Sequence, residues 1–173
     1  MTQKQSRPYN LRSGLVLYPA QQKAVEDLLT ELAQNAPAPF ILLADVTGQV
    51  ISTRGGQNST NAVALGSLVA GDLAASHEIA RLTSQYQDNQ MVLREGQSTH
   101  TFICEAGHHL ALLVQISTET PLGWARMVIQ KAARQLAEIT AAPPPQDLAV
   151  ETLPVEENLP DLFSDALDDL WQE

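Results

Sequence analysis

The stretch from Phe40 to Arg54 constrains the fold more tightly than any other part of the chain. Its first residues, 40–44, are apolar without alternation, which is the pattern of a strand covered on both faces. Asp45 opens a turn, Gly48 supplies the backbone freedom that closes it, and apolar residues resume at Val50. A hairpin with one covered arm requires helices on both faces of its sheet. This predicts a three-layer α/β domain and argues against a sandwich or a barrel.

Length and composition indicate one globular domain. The 173 residues suffice for one hydrophobic core and are few for two. No run approaches the roughly 18 apolar residues of a membrane-spanning helix, and the N-terminus lacks the apolar segment of a signal peptide. The single cysteine, Cys104, excludes a framework of disulfides within the chain. We therefore expect a cytoplasmic protein that does not insert into a membrane.

The charge of the chain is concentrated at one end. The net charge is −10, yet all ten basic residues lie before Ala141, together with eleven of the twenty acidic ones. The body is therefore almost neutral, and the acidity belongs to the C-terminal tail, as in an appended interaction segment. No stripe of Lys and Arg is present, which argues against nucleic-acid binding.

Periodic patterns predict three helices and three further strands in the body. A first helix begins at Pro19, with buried positions at Val25, Leu28, Leu29 and Leu32. A last helix has a core-facing stripe formed by Val128, Ala132, Leu136 and Ile139, together with Trp124 and Met127. Residues 1–17 show no clear period and are expected to be flexible, so we place the domain at 18–140. The other predicted segments are a helix at 61–84, strands at 90–95, 98–105 and 109–116, and the last helix at 123–140.

The second helix is apolar almost all round. Asp72 is the only charged residue between Ala62 and Ser76, which indicates burial on more than one side. Small residues also recur at a spacing of four and would allow another backbone to approach. Either this is simply the central helix of the core, or it also meets a second copy or a partner. The two lines of small residues are Gly66, Ala70 and Ala74, and Ser67, Gly71 and Ala75.

The C-terminal tail divides into a linker and a short helix. Three consecutive prolines from Pro143 begin an acidic linker, which we place at 141–158. Residues 159–173 regain a helical period with an acidic back, and so short a helix is expected to form on docking into a groove. Its apolar residues include Leu162, Phe163, Leu167, Leu170 and Trp171.

Residue types that carry catalysis are sparse. The chain has no phosphate-binding loop of Walker type, so we expect it to bind no nucleotide itself. His100 and Cys104 lie four residues apart on a strand, about 13 Å, too far for one zinc ion to bind both. His108 and His109 occupy a turn, where solvated histidines are common. We therefore predict no enzyme activity, no cofactor and no metal site.

The order helix, strand, strand, helix, three strands, helix, with the turn at Asp45–Gly48, resembles the roadblock/dynein light chain family over residues 19–140. The resemblance implies a five-stranded antiparallel sheet with the middle helix on one face and the outer helices on the other. It also implies homodimers, joined through the third strand and the paired middle helices. In this sequence the corresponding interface residues are Gly66, Ala70, Ala74, Met91 and Leu93.

Within that family the chain is most similar in plan to bacterial regulators of the MglB type, which act on a small Ras-like GTPase. The resemblance therefore implies a non-enzymatic homodimer that modulates or scaffolds such a GTPase. The alternative is a small-molecule sensor of PAS-like or profilin-like type, which would need an aromatic-lined cavity. The residues that we expect to bind a partner are Arg54, Asp72, His77 and Arg81 in the body and Leu162, Phe163, Leu167, Leu170 and Trp171 in the tail.

Overall fold

The computed structural model describes residues 8–56, 61–84 and 91–143. The predicted tail helix, and the linker beyond residue 143, lie outside the described residues. In chain order the elements are β1 (Tyr9–Asn10), β2 (Val16–Leu17), α1 (Pro19–Asn35), β3 (Phe40–Asp45), β4 (Val50–Gly55), α2 (Ala62–Leu82), β5 (Met91–Arg94), β6 (Thr99–Glu105), β7 (Leu110–Ser117) and α3 (Leu122–Ala141).

The two apolar strands, β3 and β7, form the middle of a five-stranded antiparallel sheet. The strand order is β4-β3-β7-β6-β5, so β4 and β5 are the two edges. Four consecutive residues of β3, from Ile41 to Ala44, have no exposed surface, as expected for a strand that is covered on both faces. The predicted central position of β3 and edge position of β4 are confirmed.

The helices cover the sheet as predicted, with α1 and α3 on one face and α2 on the other. Alternate residues of β3 enter two separate cores: Ile41 and Leu43 pack against α1 and α3, whereas Leu42 and Ala44 pack against α2. The α2 core is smaller, with Val69 and Leu73 of the helix at its centre. This arrangement confirms the three-layer α/β fold.

Residues 8–17 correct the prediction that residues 1–17 are flexible. Strands β1 and β2 pair in a short hairpin, and Leu17 is fully buried. The backbone N–H of Ser13 donates to the Asp45 carboxylate at 3.1 Å, and that of Arg12 donates to the Gln49 side chain at 2.9 Å. These hydrogen bonds join residues more than thirty positions apart in the sequence. They therefore could not be predicted from the local periodicity of residues 8–17.

The buried face of α3 agrees with the predicted stripe only in part. All four buried positions predicted for α1 are confirmed, as are Ala132 and Leu136 of α3, but Trp124 and Met127 are exposed. Val128 and Ile139 of the predicted stripe are half-buried and pack against the same core. The buried residues of α3 are Ala125, Ile129, Ala132, Ala133 and Leu136.

Over the described ranges, no helix combines the length and the hydropathy needed to cross a lipid bilayer.

Candidate protein-interaction surface

The outer side of α2 is a solvent-exposed apolar surface. Four large apolar side chains lie on it, each between 62% and 70% exposed. Complete burial of one such side chain would contribute about 1.5–3 kcal/mol, so covering this surface would release substantial free energy. We call this side the α2 outer face. Its large apolar residues are Val63, Leu68, Ile79 and Leu82.

Small residues form the middle of the α2 outer face. Ser67, Gly71 and Ala75 lie one turn apart and are all exposed. A Cβ atom placed on Gly71 would meet no atom within 4 Å. A second backbone could therefore approach α2 closely at this point.

The position of Gly66 corrects the prediction that Gly66, Ala70 and Ala74 lie together in the dimer interface. Gly66 is buried, and a Cβ atom placed on it would lie 2.5 Å from the carbonyl oxygen of Gly48. Its small size therefore serves a contact inside the chain, between α2 and the β3–β4 turn. Ala70 is half-buried and Ala74 is exposed, so the exposed line of small residues is the one that contains Gly71.

Two polar contacts hold α2 to the β5 side of the sheet. Asp72 accepts a hydrogen bond from Arg94 of β5 at 2.6 Å. His77 Nε2 lies 2.7 Å from the Glu105 carboxylate at the end of β6. Asp72 and His77 were both predicted to bind a partner, and the structure gives each of them a contact within the chain.

Of the partner-binding residues predicted in the body, Arg81 is the one that is exposed on α2. Its guanidinium donates to Glu78 at 2.8 and 2.5 Å. This contact raises the pKa of Arg81 and lowers that of Glu78. An ion pair this exposed contributes little to stability, so it can open at small cost when a partner binds.

Arg54, which was also predicted to bind a partner, does not belong to the α2 outer face. It lies on the other side of the sheet, where its guanidinium forms an ion pair with Glu26 of α1. It also donates to Ser52 at 3.1 Å and to the backbone carbonyl of Thr53 at 2.9 Å. The register explains this position, because Arg54 is opposite Ile41, whose side chain enters the α1 and α3 core.

The two predicted interface residues of β5 also point away from α2. Met91 and Leu93 line a groove of about 240 Å³ on the α3 side, whereas Val92 packs into the α2 core. Side chains alternate along a strand, so Val92 and Arg94 are the β5 residues that share a face with α2. Met91 and Leu93 remain on a strand that is an edge of the sheet among the described residues, and an edge strand can pair with another strand.

The residues considered for metal or thiol chemistry have other surroundings. Cys104 is buried in the α1 and α3 core, and burial, with a smaller effect of Glu105, raises the pKa of its thiol to about 12. The thiol is thus a small apolar group. Among the described residues, no three His, Cys, Asp or Glu side chains lie close enough together to hold a metal ion.

Sequence reasoning missed the exposed large residues of α2. Leu68 and Ile79 belong to a pattern that is apolar almost all round, and that pattern marks a helix with two covered sides. The pattern does not show which side the chain itself covers. Among the residues that the structure describes, only one side of α2 packs on the sheet, and the other side is exposed.

The chain matches the model of the Roadblock/LC7 domain over residues 24–116, which is more than half of its length. Among solved structures, the gliding protein MglB from Thermus thermophilus is similar with 27% identity and a TM-score of 0.67, covering 75% of this chain and 98% of that one. Myxococcus xanthus MglB is similar with 30% identity and a TM-score of 0.61, covering 67% and 94%. A structure described as MglB with tetrameric arrangement has 27% identity and a TM-score of 0.67, covering 75% of this chain and 97% of that one.

None of the curated protein sequences matches this chain significantly. The family match, together with the sheet order and the helix arrangement, makes this chain a member of the Roadblock/LC7 family.

Proposed function

We propose that this protein is a non-enzymatic regulator or scaffold that works as a homodimer and binds a small Ras-like GTPase. The observation that carries the proposal is the α2 outer face, with its exposed large side chains around Gly71. An apolar surface of this kind marks a site of protein–protein contact. Similarity to the MglB proteins supports the regulatory role, because the resemblance of the sequence to this type of protein implies action on such a GTPase.

In the proposed homodimer, the α2 helices of two copies lie against each other at Gly71. The small residues permit close approach, and Leu68 and Ile79 on the flank are then covered. The free edge of β5 lies beside this helix, so pairing of two β5 strands would extend the same interface. Two aligned α2 helices would form a broad surface that one helix alone does not provide.

The GTPase is proposed to bind on this paired surface. A bound partner can order or release the switch loops of a GTPase. The nucleotide cycle of the GTPase would therefore depend on which arrangement of its switch loops the paired surface favours. Arg81 is the cation of α2 that can reach such a partner, once its exposed contact with Glu78 opens. The proposed mechanism needs no arginine inserted into the nucleotide site.

Substitution of Gly71 tests the proposal at its central contact. Gly71→Phe has open space in the monomer, so it should leave the fold intact and block the approach of a second helix. Gly71→Ala is the matched control, because a methyl group adds little bulk. Light scattering should give twice the monomer mass for the wild type and the control, and a lower mass for Gly71→Phe at the same micromolar concentration.

Binding of the GTPase is measured separately, with a purified small Ras-like GTPase from the same genome. It is loaded in turn with GDP and with a non-hydrolysable GTP analogue, and binding to the wild type, Gly71→Ala and Gly71→Phe is followed by interferometry. We expect one nucleotide form to bind the wild type and the control more tightly, and Gly71→Phe to bind weakly. Absence of binding by both forms at tens of micromolar would overturn the GTPase role while leaving the dimer in place.

A further inference from the structure

A second apolar surface lies on the opposite face of the protein, between α1 and α3. It is a groove of about 300 Å³ whose floor is formed by apolar side chains of both helices. Trp124 is 39% exposed and Met127 is 58% exposed at the end of the groove formed by the start of α3. We call it the α1–α3 groove. Its apolar lining consists of Leu28, Leu32, Trp124, Met127, Val128 and Ala132.

The two rims of this groove carry opposite charges. The α1 rim has the exposed carboxylate of Glu31, whereas that of Asp27, one turn earlier, forms an ion pair with Lys23 of the same helix. The α3 rim has the exposed ammonium group of Lys131, with Arg134 beside it on the helix. Glu31 and Lys131 both line the groove, yet no ion pair joins them in the part of the chain that the structure describes. The groove is thus apolar along its centre, negative on one side and positive on the other.

This separation of charge determines which occupant fits. A uniformly acidic helix would be attracted by Lys131 and repelled by Glu31. A uniformly basic helix would be attracted by Glu31 and repelled by Lys131. An occupant that matches both rims has its own negative and positive edges on opposite sides of an apolar centre. A second copy of this chain has that arrangement.

We infer that the α1–α3 groove is a self-association surface, in which two copies face each other across a two-fold axis parallel to the helices. Such a rotation places the α1 rim of one copy against the α3 rim of the other. Glu31 then meets the partner subunit's Lys131, and the same contact occurs twice, as two-fold symmetry requires. Trp124 and Met127 of the two copies are covered at the end of the contact formed by the start of α3.

This contact is independent of the proposed α2 dimer, because α2 lies on the other face of the sheet. A chain that used both surfaces would form assemblies larger than a dimer. A chain that used only the groove would form a different dimer. Measurements in the wild type and in Gly71→Phe separate the two contacts, since Gly71 is remote from the groove.

Charge reversal of the rims tests the inference on the full-length chain. Lys131→Glu and Glu31→Lys each place like charges opposite each other at two symmetric positions, so each should weaken self-association about tenfold. The double variant, Glu31→Lys with Lys131→Glu, should restore it. Arg12→Glu changes the net charge as Lys131→Glu does, on the exposed N-terminal hairpin, and should have no effect. Sedimentation equilibrium in the Gly71→Phe background measures the association constants.

Mixing the two single variants provides the sharper result. Each associates poorly with itself, but the Glu31→Lys chain has two cationic rims and the Lys131→Glu chain has two anionic ones. The two chains are therefore complementary at both contacts, and the mixture should associate as strongly as the wild type. Failure of the mixture to associate would overturn the inference, as would equal association constants for Lys131→Glu and the wild type. If Glu31→Lys associates more strongly than the wild type, Glu31 does not face the partner subunit's Lys131, and the inference is overturned.

Discussion

A methyl group on Gly66 would lie 2.5 Å from the carbonyl oxygen of Gly48, because α2 crosses the β3–β4 turn at that point. The contact is mutual, since a Cβ atom on Gly48 would lie 2.7 Å from the Cα atom of Ser67. Gly48 also has a positive φ of 87°, which an L-residue with a side chain rarely adopts. The turn and the helix can therefore approach each other only because both positions lack a side chain.

Gly66→Ala should destabilise the fold, whereas Gly71→Ala should not. The added methyl group at residue 66 meets backbone atoms that cannot rotate away, and we expect a loss of about 1–3 kcal/mol in the free energy of unfolding. Gly71 is exposed in the same helix with open space around it, so alanine there should be neutral or should stabilise by up to about 1 kcal/mol. Urea denaturation followed by circular dichroism measures the free energy of unfolding of both variants. Equal values for the two variants would contradict the conclusion that Gly66 is packed against the β3–β4 turn and Gly71 is not.

Asp45 should make stability sensitive to acid. Burial raises the pKa of its carboxyl group, but hydrogen bonds from Thr47, Gln49 and Ser13 together lower it below the ordinary 3.8. Because the folded pKa is the lower one, the stabilisation is present above pH 3.8 and is lost as the pH falls through the folded value.

Asp45→Asn tests this dependence. In the variant, the side-chain NH₂ group would face a backbone N–H group that donates a hydrogen bond to the carboxylate in the wild type. Because two donors would then face each other, we expect the free energy of unfolding to fall by about 1–3 kcal/mol at pH 7. Below about pH 4 the variant should lose less stability than the wild type on further acidification. Thermal unfolding between pH 7 and pH 3 measures the difference, and parallel curves would show that Asp45 does not titrate as proposed.

Arg54→Ala should affect the fold and leave the proposed interface unchanged. Its ion pair with Glu26 fastens α1 to the β4 edge, and because both side chains are partly exposed the loss should be only about 0.5–1 kcal/mol. Arg81→Ala is the comparison, because the exposed pair of Arg81 should hardly affect stability. Light scattering should show unchanged self-association through α2 for Arg54→Ala. Loss of GTPase binding by Arg54→Ala, with stability unchanged, would restore Arg54 as a contact residue.

Cys104 should be unreactive in the folded protein. Burial raises the pKa of the thiol to about 12, so at pH 8 almost none of it is the reactive thiolate. We expect a disulfide reagent such as DTNB to label one thiol per chain in denaturant and none under native conditions. Rapid labelling of the native protein would show that this part of the core opens readily.

Much of the fold could be predicted from local patterns. The unbroken apolar runs of β3 and β7 predicted strands that are covered on both faces. The helical spacing of the apolar residues from Val25 to Leu32 predicted the buried side of α1. The candidate surface was predicted in part. The all-round apolar pattern of α2 indicated contacts on two sides, but Gly66 and Gly71 have the same local sequence signal and opposite surroundings.

The sequence by itself determined the elements of this protein, their order and the presence of an apolar helix with small residues. These depend on period, turn chemistry and propensity, which are properties of neighbouring residues. Only the tertiary structure decided which side of α2 is left exposed, that Arg54 faces α1, and that Met91 and Leu93 face α3. Those outcomes depend on strand register and on contacts such as Ser13 with Asp45, between residues distant in the chain, and such contacts leave no local periodic signal.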